Sequence, residues 1–157
     1  MPMKKLLALA MVAAAATLAA CSPAAAPTTT VADNRPGGAT PDAAVQRFFA
    51  AVHAQDLQAM GAVWGTSAGP ARETMDRTEL EKREVILQCY FNYDTFRILS
   101  TQPAQDGRQV VRVELTRGGK TRTPAIFTVQ GPNNRWYVEN LDIATVRDFC
   151  GTAPSSP

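Results

Sequence analysis

Histidine is almost absent from this sequence and cysteine is scarce: one His, at position 53, and three Cys, at 21, 89 and 150, in 157 residues. A metal centre needs three or four such ligands brought together, and only His53 could join the cysteines, so no metal site is expected. A glycine-rich loop able to cradle phosphate is missing as well. So is an apolar run long enough to cross a bilayer, because the stretch from Leu6 to Leu18 falls short of the roughly 20 residues a span requires. Charge of one sign is not in excess, with 16 basic residues against 14 acidic ones. No cofactor is implied by anything that remains.

What is present begins at the N-terminus. "MPMKKLLALAMVAAAATLAAC" has a basic head at Lys4 and Lys5, an apolar middle and small residues at its end, the three-part layout of a secretory signal. Its last four residues, "LAAC", resemble the lipobox of bacterial lipoproteins, with Leu at the third place before the cysteine and Ala just before it. The resemblance implies that residues 1–20 are removed as a signal peptide. Cys21 is then acylated, palmitate being one such chain, and becomes the new N-terminus. Ser22 after that cysteine implies the outer membrane of a Gram-negative cell envelope, on the side facing the periplasm. An ordinary signal peptide with an incidental cysteine is the alternative.

Cleavage changes the charge balance. Lys4 and Lys5 leave with the signal and no acid does, so 14 basic residues then face 14 acidic ones. A neutral chain has no electrostatic footprint for nucleic acid. Its hold on a membrane would come from acyl chains, each buried CH2 contributing about 0.8 kcal/mol. From Ser22 the chain reads "SPAAAPTTTVADNRPGGA", without apolar periodicity, so residues 21–39 are expected to be a lipidated cysteine and a disordered tether. As a coil that tether spans about 20 to 25 Å. Residues 151–157, "GTAPSSP", read as a disordered tail, which leaves residues 40–150 for a single domain.

With Cys21 taken by lipid, Cys89 and Cys150 have only each other in an oxidising compartment. A disulfide between them would close a loop of roughly 60 residues and stabilise the fold by about 4 kcal/mol. Two buried, unpaired thiols are the alternative.

The domain opens with Thr40 as an N-cap and Pro41 at the first helical position. Val45, Phe48, Phe49 and Val52 then recur at helical spacing, predicting a helix over 41–54. Asp56 can cap a second helix carrying Leu57, Met60, Val63 and Trp64, ended near Gly65. Thr78 and Glu81 form a capping-box pattern for a third helix running to Cys89. Thereafter the period changes to two, and "YFNYDTFRILS", "RQVVRVEL", "TRTPAIFTV" and "RWYVENLDI" read as four strands. Helices followed by an antiparallel meander predict an α+β fold, with N-terminal helices packed on a curved four-stranded sheet.

Hairpin register follows from which faces are apolar. A two-residue turn at Gly118-Gly119 would set Leu115 opposite Arg122. A three-residue loop from Arg117 to Gly119 sets Glu114 opposite Arg122 instead, and is preferred because it pairs opposite charges and extends the apolar face to Phe127 and Val129. If Gln130 then faces Arg135, Phe127 lies opposite Val138. The covered face would carry Val111, Val113, Leu115, Phe127, Val129, Trp136 and Val138.

The helices with "FFAAVHAQDLQAMGAVW", and the last strand "RWYVENLDI" with its aromatic-x-Val-Glu-x-Leu ending, resemble the nuclear transport factor two-like superfamily, also called SnoaL-like or cystatin-like. The resemblance covers residues 40–145 and is nearest to small bacterial lipoproteins of undefined function. It implies a sheet wrapped around the first helix into a cone whose open end is a pocket, used for proton-transfer catalysis in some members and for binding or dimerisation in others. Fold alone does not choose among these.

Acid-base work in such a cone needs a carboxylate or histidine facing an apolar pocket. The candidates are His53, Tyr93, Asp94, Asn140 and Asp142. Asn140 and Asp142 share the expected covered face, so the candidate pocket comprises Trp64, Phe127, Val138, Asn140 and Asp142, with the two polar groups at its mouth. A strand end lying beyond the core, with both residues solvated, is the alternative. Arg108, Arg112, Arg117, Arg122 and Arg135 could form an anion patch, but Glu114 and Glu139 among them favour a solvated face. The expected function is an envelope lipoprotein whose domain is a small-ligand-binding or protein-interaction module rather than an enzyme; an isomerase-like or cyclase-like enzyme using the cone pocket, and a structural accessory pairing through its sheet, are the alternatives. Its expected partners are the membrane, through the anchor, and a small apolar ligand, an envelope protein or a second copy of the chain.

Overall fold

The computed structural model describes residues 33–151. The signal peptide, Cys21, tether residues 22–32 and tail residues 152–157 lie outside the described residues.

Helix α1, Pro41–Ala54, begins where the sequence places it: the Thr40 hydroxyl accepts from the Ala43 amide, and Pro41 occupies the first turn. Its buried stripe of Val45, Phe48, Phe49 and Val52 follows the helical period. Gln55, at φ 57°, ends the helix in the left-handed region, and the Asp56 carboxylate caps α2, Leu57–Val63. A small hairpin, β1 Gly65–Thr66 and β2 Gly69–Pro70, and a single turn of helix, α3 Ala71–Thr74, lead to α4, Arg77–Phe91.

Helix α4 differs from expectation at both ends. Asp76, not Thr78, is its cap, accepting from the Glu79 amide at 3.1 Å. A carboxylate is a strong cap and also meets the positive end of the helix dipole, so it prevails over the nearby threonine. At the other end the helix continues through Tyr90 and Phe91, residues expected to open the first strand. The buried positions Leu80, Glu84, Leu87 and Phe91 explain why, since they keep helical spacing once the acid is counted as an inward residue.

The main sheet is antiparallel and has five strands: β3 Thr95–Pro103, β4 Gln109–Arg117, β5 Lys120–Arg122, β6 Ala125–Gln130 and β7 Trp136–Leu141. Their order is β3-β4-β6-β7, with β5 pairing the end of β4. The third expected strand is thus two, because Pro124 has no amide to donate and interrupts the ladder between β5 and β6. Helix α1 contacts β3, β4, β6 and β7.

The preferred register is corrected as well. Arg117 pairs with Lys120 and Leu115 with Arg122, so the turn is the two-residue Gly118-Gly119 form, with both glycines at positive φ. The charges that argued for the longer loop find other partners: Glu114 meets Arg97 of β3 at 2.8 Å, and Arg122 meets Asp148 at 2.7 Å. A slip of one residue exchanges the faces of β6, so Ile126 and Thr128 are fully buried while Phe127 is only half-buried. Gln130 likewise faces Trp136 rather than Arg135, and a bulge follows between Phe127 and Thr128. On β7 it is Tyr137, Val138 and Leu141 that are buried, with Trp136 half-buried.

Residues 33–39, expected to belong to the tether, form an ordered strap. Gly38 exchanges two backbone bonds with Trp136, at 2.8 and 2.9 Å, and the Gly37 amide donates to the Ala62 carbonyl at 2.8 Å. Gly37 must be glycine, having φ 69° and a position where a Cβ would lie 2.7 Å from the Trp136 carbonyl oxygen. The buried Arg135 guanidinium donates to the carbonyls of Pro36 and Gly37, both at 2.9 Å, and meets Asp33 at 2.7 Å. Arg135 therefore belongs to a structural clamp and not to an exposed anion patch.

At the far end, α5 Ile143–Val146 and the buried Phe149 close over the core. Cys89 and Cys150 are joined as a disulfide, 61 residues apart in sequence.

Candidate binding groove

The interior bounded by α1, α4 and the sheet is occupied by rings. Phe49 stacks on Phe96 at 4.7 Å between centroids and meets Phe48, Phe91 and Tyr93 edge-on at 5.6, 6.0 and 5.9 Å. Leu115, Val111, Ile126, Val138 and Phe149 fill the space beside them and are fully or almost fully buried. Val138 is thus core and lines no opening, in contrast to its expected place in a pocket.

The polar candidates for acid-base work are dispersed. His53 is exposed, with its ring 5.0 Å from that of Tyr93. The Tyr93 hydroxyl donates to the Phe49 carbonyl at 3.2 Å, and burial raises its pKa, so it remains a neutral donor tying α4's end to α1. The Asp94 carboxylate accepts from the Gly118 amide at 2.8 Å and holds the β4–β5 turn. Asp142 is the cap of α5, accepting from the Thr145 amide and hydroxyl at 3.2 and 2.6 Å. Capping explains its half-burial, and it is not among the residues that line the groove described below.

Two of the expected pocket residues do meet. Trp64 and Asn140 line an open groove of about 290 Å³ together with Arg83, Ile86 and Leu87 of α4 and with Glu139, Leu141 and Ile143. Trp64 is placed there by a parallel bridge to Val138, which draws the end of α2 alongside β7. Phe127, on β6 opposite Asn140 and Val110, is not among the lining residues. The groove's charges are internally satisfied: Glu139 is bonded by Arg108, through one contact at 3.1 Å and a shorter one, and Arg83 meets Glu79 at 2.7 Å. Asn140 turns its side-chain oxygen to the Leu141 amide at 2.9 Å, leaving its amide nitrogen to face outward as a donor. Five of the eight lining residues are apolar, and Ile86 among them is 52 % exposed.

Sequence reading missed the contribution of α4, because its outward apolar pair Val85-Ile86 breaks the helical stripe instead of belonging to it. It also missed Glu84, which is 1 % exposed. The signal for Glu84 lay in the spacing of Leu80, Leu87 and Phe91, which places position 84 on the inward face. Burial first, then the nearby charges of Glu81 and Asp56, push its carboxyl up to about 7.

Among the described residues no group of three or more His, Cys, Asp or Glu is placed to hold a metal ion. No helix among them is long and apolar enough to cross a membrane. No protein-family model and no curated protein matches the chain. Among solved structures, a protein of Parabacteroides distasonis ATCC 8503 described as a "putative ketosteroid isomerase" is similar at 14% identity, with a TM-score of 0.37, over 63% of this chain and 83% of that one. A likeness at that level carries no argument about what this chain does.

Proposed function

We propose that this chain is a lipoprotein of the bacterial cell envelope, held by Cys21 at the outer membrane facing the periplasm, whose single domain is an interaction module. Its architecture is read as a nuclear transport factor two-like cone, in keeping with α1 contacting four strands of one sheet. The occupant of the groove between α4 and the end of β7 is an apolar side chain of an extended partner polypeptide.

The observation that carries this reading is that the cone interior is filled with rings while a groove lined mainly by apolar residues lies open on its flank. A volume of about 290 Å³ sits at the lower limit of small-molecule pockets and is open along its length, which suits a projecting side chain. Internal pairing of Glu139 and Arg83 leaves no net charge to select an ionic occupant. The Asn140 amide adds one donor for a backbone carbonyl. Proton-transfer chemistry has less support, because the buried carboxyl Glu84 lines a different cavity.

A photoreactive residue at Asn140 tests the groove in intact cells. It should yield one discrete adduct that Ile86→Asp abolishes, whereas the same probe at Leu99 on β3 should yield none. Equal labelling from both positions, or adducts indifferent to Ile86→Asp, would overturn the interaction reading. The anchor is tested separately: Cys21→Ala should move the protein from the membrane to the soluble fraction, and retention on the membrane would sink the lipoprotein reading.

A further inference from the structure

On the other flank of α4, facing α2 and α3, lies a second and smaller cavity of about 120 Å³. Gln58 of α2, Arg72 of α3, and Arg77, Leu80, Glu81 and Glu84 of α4 line it. Glu84 is 1 % exposed, and its Oε1 has no hydrogen-bond partner; one turn on, Gln88 Nε2 is also buried without one. Buried polar atoms almost always have partners, and an unpaired carboxylate oxygen costs more than most. The neighbouring backbone is shaped to admit this acid, since a Cβ on Gly61 would lie 2.8 Å from Oε1.

The charges around the cavity define what would satisfy it. Arg77 is committed to Glu81 at 2.9 Å, and Arg72 leans on Glu73 at 3.8 Å. Asp56 spends one oxygen on the Ala59 amide at the cap of α2. With Arg77 and Arg72 turned to Glu81 and Glu73, neither lining arginine is paired with Glu84, and the nearest further ionisable group, Asp56, is another acid. The space equals about four water molecules at roughly 30 Å³ each, enough for a planar group of four heavy atoms or a short alkylammonium.

We propose that this cavity binds a small organic cation of the guanidinium or primary-ammonium class, which donates its N–H groups to the Glu84 carboxylate. A guanidinium suits a carboxylate best, because its planar fork can donate two parallel bonds. The site is separate from the groove assigned to the partner polypeptide and does not depend on it. Because Glu84 holds its proton up to about pH 7, an arriving cation displaces that proton to solvent and replaces it as the neutralising group.

Titration of the full-length protein with guanidinium chloride at constant ionic strength, followed by the side-chain carboxyl carbon resonance of Glu84, tests the proposal. Saturation at millimolar concentration is expected, with methylammonium competing and sodium without effect. Glu84→Gln preserves shape and should weaken binding at least tenfold, read from the Gly61 amide. A linear response, an equal response to sodium, undiminished binding in Glu84→Gln, or saturation by acetate in place of the cations would overturn it. The source of the cation is read from a blocked Gly-Arg-Gly peptide: binding at least tenfold tighter than free guanidinium points to an arginine side chain, and no binding points to a free small cation.

Discussion

Arg135 and Gly37, 98 residues apart in sequence, are joined by a 2.9 Å bond from guanidinium to carbonyl at a place where the arginine is only 5 % exposed. The same guanidinium serves Pro36 and Asp33, and Arg47 adds a second side-chain donor to the strap at the carbonyls of Arg35 and Gly37. Arg135→Ala leaves the Pro36 carbonyl without its side-chain donor and takes one donor from the Gly37 carbonyl and the Asp33 carboxylate, and should cost about 2 to 4 kcal/mol of unfolding free energy. Arg135→Lys should fall between, since an ammonium cannot reproduce the fork. Urea denaturation gives the magnitude, and new protease cleavage ahead of Pro41 would report release of the strap. An alanine variant as stable as the parent would show that the clamp contributes nothing.

The Cys89–Cys150 bridge fastens the chain after α5 to the end of α4. Reduction, or the Cys89→Ser and Cys150→Ser pair, should remove about 4 kcal/mol, the chain-entropy value for a loop of that length. Thermal melts with and without reductant measure it. Thiol labelling of the denatured, unreduced protein should find neither cysteine reactive, and a labelled Cys89 would contradict the bridge.

Glu84 sets a pH dependence opposite to that of an ion-paired acid. Its folded-state value of about 7 lies above the ordinary 4.5, so the folded protein binds a proton that the unfolded chain has released. Stability contributed by this group is therefore complete below pH 4.5 and declines as pH rises to about 7, by on the order of 1 to 3 kcal/mol. Glu84→Gln cannot ionise, and its unfolding free energy should not fall over that interval. Subtracting the two profiles isolates Glu84 from acids with lowered values, such as Asp33, Glu114 and Asp148. Parallel profiles would show that the acid is not held protonated.

Gly61→Ala should reveal the same acid from the opposite helix. In an exposed helix this substitution stabilises by up to about 1 kcal/mol, yet here the added methyl would lie 2.8 Å from Glu84 Oε1, 3.2 Å from Leu80 Cδ2 and 3.3 Å from Arg72 Cβ. Crowding should prevail, giving a net loss of about 1 to 3 kcal/mol. In a Glu84→Ala background the sign should reverse, and a double-mutant cycle measures the coupling. Additive effects would mean that the two residues do not constrain each other.

Helix α1 and the disulfide partners were legible in the sequence because each is governed by a local or exclusive rule: a cap, a proline, a helical stripe, and two thiols with no other candidates. Register was not. Val111, Val113 and Leu115 fit either hairpin, and the deciding charge, Arg122, pairs with Asp148, a residue remote in sequence and outside the hairpin. Trp64 and Asn140 line the groove, whereas Asp142 caps α5; the sequence does not separate these roles, because capping and cavity lining both call for a half-buried acid at a strand end. The strap escaped notice since Gly37 and Gly38, which read as flexibility, are there to let two backbones touch.

The cluster around Phe49 also has a consequence for redesign. A core made of interlocked rings is a mould with its casting still inside: removing Phe49 by truncation to alanine would open a void on the order of 100 Å³, walled by Phe48, Phe91, Phe96 and Tyr93. Such a void is dry and suited to benzene-sized guests. A host for aromatic guests thus lies one substitution away, at the usual cost in stability of about 3 to 5 kcal/mol for a lost core phenylalanine.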